Sequence, residues 1–151
     1  MKNEKKTLAF YAKAIVGATV LASITCVADT TEVLRDSQGR LLGTATTDGS
    51  GKVTYRDSQG RLQGTMTKDS SGNAVYRDAQ GRLQGTASTD SSGTTTFRDS
   101  SGRLEGSKRE DANGNAVYRD AQGRNQGSSS TDSSGRTTYR DSQGRLKATK
   151  K

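Results

Sequence analysis

The sequence predicts an all-β fold built by tandem repetition, an antiparallel array of β-hairpins made from units of 21 residues. Three observations predict it. One eight-residue motif recurs six times at constant spacing. Two Asp-x-x-Gly turns punctuate each unit. The segments between turns are strand length and alternate in polarity, and no helical period occurs beyond the first 28 residues. A β-solenoid is the other arrangement that the same strands allow.

Residues 1–28 read as a signal peptide and 29–151 as the repeat domain. Met1 to Lys13 is basic, with Lys2, Lys5, Lys6 and Lys13 against Glu4. Ala14 to Ile24 is uncharged and mostly apolar, and Cys26-Val27-Ala28 places small residues before a cut at Asp29. This is the order of a secretory signal, a helix removed on export. The apolar run has 11 residues, where a bilayer-spanning helix takes about 20. Cleavage after Ala28 leaves no cysteine, and hence no disulfide or thiol chemistry. A lipoprotein anchored through Cys26 is the alternative, although Ser23, Ile24 and Thr25 fit a lipidation box poorly.

The motif reads LRDSQGRL from Leu34, YRDSQGRL from Tyr55, YRDAQGRL from Tyr76, FRDSSGRL from Phe97, YRDAQGRN from Tyr118 and YRDSQGRL from Tyr139. Its turn positions are Asp36 and Gly39, Asp57 and Gly60, Asp78 and Gly81, Asp99 and Gly102, Asp120 and Gly123, and Asp141 and Gly144. A second set of turns starts at Asp48, Asp69, Asp90, Asp111 and Asp132. Aspartate caps a type I turn by accepting the backbone N–H two residues on, and glycine takes the left-handed position that follows. That combination is a common hairpin connection.

Alternation assigns the strand faces. Leu83, Gly85 and Ala87 share one face, and Thr95 shares another with Phe97. Each unit is expected to offer an aromatic and a leucine to a stacked apolar face: Tyr55, Leu62, Tyr76, Leu83, Phe97, Leu104, Tyr118, Tyr139 and Leu146. Full burial of one large apolar side chain is worth roughly 1.5–3 kcal/mol, whereas ordering a residue costs roughly 1.5 kcal/mol. A lone unit cannot stand, so neighbours must stabilise one another. Lys108, where Met66 and Ala87 stand in other units, and Asn125 in place of leucine mark units four and five as the least stable.

Composition limits the function. Apolar residues make up 28% of the 151, with no His, Trp or Pro, and mean hydropathy is −0.90. Beyond residue 28 the chain has 20 basic against 15 acidic residues. This modest excess fits a solvated surface with some affinity for a polyanion, and nucleic acid is not expected as a partner. No catalytic constellation, cofactor motif or metal site stands out: histidine is absent and the carboxylates fall at the fixed spacing that a repeat demands. Arginines beside each turn aspartate oppose a cation site.

The run Tyr55-Arg56-Asp57, then Gly60-Arg61-Leu62, preceded by Gly51 and Thr54, resembles the YD repeat of bacterial Rhs and teneurin-like proteins over residues 33 to about 147. Arg56 departs from that pattern, in which Tyr and Asp are adjacent. The hairpin units also resemble MORN-type repeats. Gly72-Asn73-Ala74-Val75 and Gly114-Asn115-Ala116-Val117 are loosely similar to steps in curlin, the subunit of bacterial amyloid fibres. These resemblances imply β-hairpin arrays in a bacterial protein and transfer no ligand or active residue. The expectation is an exported, non-enzymatic repeat protein, periplasmic or secreted, that acts as a binding or structural surface. A virulence effector or adhesin that binds a host component and a self-associating fibre subunit are the alternatives.

Overall fold

The computed structural model describes residues 29–151; the expected signal helix lies outside them. They form twelve strands: β1 (Thr30–Asp36), β2 (Leu41–Thr47), β3 (Val53–Asp57), β4 (Leu62–Lys68), β5 (Ala74–Asp78), β6 (Leu83–Thr89), β7 (Thr94–Asp99), β8 (Leu104–Glu110), β9 (Ala116–Asp120), β10 (Asn125–Thr131), β11 (Thr137–Asp141) and β12 (Leu146–Lys150). Each strand pairs antiparallel with its neighbours in sequence, and β1 pairs with β12, which closes an up-and-down barrel. The hairpin array is therefore present but curled into a ring, and the solenoid alternative is corrected. Full closure removes the two unpaired edges that an open array would expose.

The ring has six-fold pseudosymmetry, because every junction between units uses one register. Gly43 faces Asp57, Gly64 faces Asp78, Gly85 faces Asp99, Gly106 faces Asp120 and Gly127 faces Asp141. At the closing seam Ala148 faces Asp36, the same pairing carried across the chain ends.

The interior is filled by alternating large and small residues. Tyr55, Tyr76, Phe97 and Tyr118 lie opposite Gly64, Gly85, Gly106 and Gly127 on the following strands. On their other side they meet Ala45, Met66, Ala87 and Lys108. Each ring is thus bracketed by a strand with no side chain to compete for its space. A barrel of twelve strands is wider than one of eight, and the inward aromatics are what fill it. Phe97, Tyr118 and Tyr139 are at most 1% exposed.

The leucines go elsewhere. Leu62, Leu83, Leu104 and Leu146 are 37–44% exposed, as is Leu41 in the first unit. The pairing of Tyr55 with Gly64 and Arg56 with Leu62 skips Gln63, which forms a β-bulge. The same shift occurs in the first hairpin of every unit. One extra residue reverses the face of all that precede it, so the expected leucine layer stands outside, beside the arginines. Asn125 occupies this outer position and breaks no interior layer. The fewest strand pairs fall at the seam, not at units four and five.

Candidate functional site

The repeated motif builds one turn six times, and the second unit shows how. Asp57 N–H donates to the Arg61 carbonyl and Gly60 N–H to the Asp57 carbonyl, both at 3.0 Å. Gly60 has φ of 78°, a conformation costly for any residue with a Cβ. Asp57 Oδ1 accepts the backbone N–H of Gln59 and of Arg61, each at 2.9 Å. Its Oδ2 accepts from Arg61 Nε at 2.8 Å and from Gln63 Nε2 at 3.2 Å. Arg56 Nη1 donates to the Gly60 carbonyl at 2.9 Å, and the equivalent arginine bond recurs in all six turns.

The structure therefore places all twelve Asp and Gly turn residues in these loops and gives both arginines a local task. The Arg61 hydrogen bond, followed by the two backbone N–H groups, holds the Asp57 carboxyl below its ordinary range. At Asp69 and Asp132 in the second turns, Asn73 and Ser134 do the same. Each aspartate is engaged by its own loop, and among the described residues no three metal-ligating side chains gather into a site.

Alternate turns lie at opposite ends of an up-and-down barrel, so the six motif turns share one end. There the outward pairs Arg35–Leu41, Arg56–Leu62, Arg77–Leu83, Arg98–Leu104 and Arg140–Leu146 recur around the circumference, with Arg119–Asn125 completing the ring. This end carries twelve motif arginines against six motif aspartates, and the bulge residues Glu105 and Lys147 cancel. The rest of residues 29–151 holds seven basic against eight acidic residues. The whole positive excess therefore sits on one rim. The sequence concealed this belt because period-two alternation turns Leu62 inward unless the bulge at Gln63 is known.

A second feature lies inside. Lys108 Nζ, with its side chain 3% exposed, meets Glu110 Oε2 at 2.7 Å. Lys150 Nζ, 5% exposed, meets Glu32 Oε1 at 2.9 Å across the seam. The hydroxyls of Tyr118 and Ser129 lie 3.1 Å apart, and that of Tyr139 bonds with Thr137, whereas that of Tyr55 is buried without a hydrogen-bond partner among the described residues. Burial pushes the Tyr76 phenol up to about 12. Lys108 is legible in the sequence as a departure from the repeat; its carboxylate partner two residues on carries no such mark.

No protein-family model matches the chain and no curated protein matches it, so nothing identifies a YD or MORN repeat. The fold defines a class, an all-β barrel of hairpin repeats, and the site defines a cationic rim.

Proposed function

We propose that this chain is an exported, non-enzymatic binding protein whose Arg–Leu rim grips an anionic, partly apolar partner of the bacterial envelope, of the lipopolysaccharide class. The observation that carries this reading is the outward Arg–Leu pair repeated five times at one register around one end. Clustered positive charge raises the local concentration of anions, and five leucines near 40% exposure offer apolar contact that a solvated charge belt would not need. Repetition turns weak single contacts into avidity for a partner that is itself repetitive or aggregated. The outer wall also carries Thr54, Arg56, Thr65 and Thr67, whereas a lipid-spanning barrel turns apolar residues outward. Such a wall suits an aqueous compartment.

Titration of the protein with lipopolysaccharide tests the reading. Binding should weaken steeply as salt rises, and Leu62→Ser with Leu83→Ser should weaken it at fixed salt. Absence of binding at low salt, or equal binding to a neutral polysaccharide, sinks it. The amino-terminal sequence of protein recovered outside the cytoplasm should begin at Asp29.

A further inference from the structure

The closing seam is the one junction between units not made by a continuous chain, and it is built differently from the other five. Those five each pair five residues. The seam pairs three, Leu34–Lys150, Arg35–Thr149 and Asp36–Ala148, extended by reciprocal Val33 and Lys151 backbone bonds of 2.8 and 3.2 Å. At this register other units pack an aromatic ring; the seam sets Leu34 against Lys150. Beside Leu34 and Ala148, its inward face carries the Lys150–Glu32 ion pair, and taking the Lys150 ammonium out of water offsets much of that attraction. Ala148 stands where the other units carry glycine. The seam is thus the junction between units with the fewest strand pairs, and it sets a lysine against a leucine where the others pack an aromatic ring.

It is also the junction with a ready substitute. Because its register is the one repeated inside the chain, β12 of any molecule fits β1 of any other. We infer that the partner this seam accepts is a second copy of the chain, with β12 of one molecule pairing head-to-tail with β1 of the next in the register used for closure. Such a heterologous contact gives a closed pair when two chains reciprocate, and a longer open assembly when they do not. Intramolecular closure wins in dilute solution, and exchange wins by mass action as concentration rises.

The experiment uses the full chain carrying Cys26→Ser with Arg35→Cys and Thr149→Cys, which face each other across the seam. Directly opposed residues in an antiparallel pair lie within disulfide reach. A control chain carries Thr44→Cys and Arg56→Cys, the same register at an internal junction. Both are unfolded in denaturant, refolded over a range of concentrations, oxidised and separated by mass without reductant. The seam pair should give intrachain bonds when dilute, with the interchain share rising at least ~10-fold over a ~100-fold concentration increase. The control should stay intrachain throughout. Seam-oxidised monomer should then remain monomeric by light scattering at concentrations where the Cys26→Ser chain forms discrete multiples. Intrachain bonds alone at every concentration overturn the inference. So does an equal interchain share in the control, which would mark unspecific aggregation, or failure of the seam thiols to join at all.

Discussion

At the scale of single residues, the interior shows that a repeat tolerates substitution where the newcomer brings its own partner. Lys108 occupies the position of Met66 and Ala87, facing Tyr118 as they face Tyr76 and Phe97. It is accommodated because Glu110 lies two residues on along the same strand, on the same face, and reaches its ammonium at 2.7 Å. A buried ion pair is a poor source of stability, since an apolar replacement of similar volume is often neutral or better, but removal of one partner strands the other. Lys108→Met, which restores the residue found at position 66, should leave the denaturant midpoint unchanged or raise it, because the Glu110 carboxylate left behind is 33% exposed and stays in water. Glu110→Gln should lower stability by roughly 1–3 kcal/mol, because the ammonium loses its charged partner while Lys108 remains 3% exposed. Urea melts of the two variants beside the parent decide the matter. If both fall together, the pair is a net stabiliser and the interior does not merely tolerate it.

At the scale of the element, each hairpin is held by a turn whose aspartate works as an anion and a strand junction whose glycine works as an absence. Ten turn aspartates have carboxyls held below the ordinary value of 3.8. A group whose folded value is depressed contributes its stability above the unfolded value and loses it as pH falls through the folded one. The thermal midpoint should thus be level above about pH 5 and drop below about pH 4, steeply because ten sites act together. A midpoint that stays flat into strong acid would show that the turns do not need charged aspartate. Gly64 tests the second half. A Cβ there would collide with the backbone carbonyl oxygen of Arg77, which cannot swing aside as a side chain could. Gly64→Ala should cost about 1–3 kcal/mol as overpacking, and a midpoint equal to the parent's would mean that the strands separate freely. These elements also mark how far the sequence could be read. Turns, strand count and the inward aromatics were legible because each depends on local chemistry at a fixed spacing. The leucine face was misread because a one-residue bulge leaves no mark in composition, yet reverses a face. The rim followed from that bulge and so was equally hidden. Closure was hidden too, because Val33 and Lys151 meet only after six units have curved through a full turn.

At the scale of the whole molecule, the ring raises the question of whether it has a beginning. The seam register equals the internal register, and Thr30 and Lys150, the outer ends of β1 and β12, lie at the end of the barrel that holds the second set of turns, away from the Arg–Leu rim. The only covalent difference between the seam and its counterparts is a missing Asp-x-x-Gly turn. Joining Lys151 to Thr31 through Thr-Asp-Ser-Ser-Gly supplies that turn in the phase of the others, with Asp29 and Thr30 replaced. New termini can then be opened in the loop between Asp69 and Asn73, whose turn bonds are all local. The permuted chain should refold as a monomer with an unchanged β-strand circular dichroism signature. Its open junction would now lie between β4 and β5, where Met66 packs on Tyr76 and five strand pairs remain available. Since that junction is more apolar than the natural seam, the permutant should also populate fewer concentration-dependent multimers. A permuted chain that stays unfolded would show that the order of units matters, and that six nearly identical hairpins do not determine the barrel by their mutual register alone.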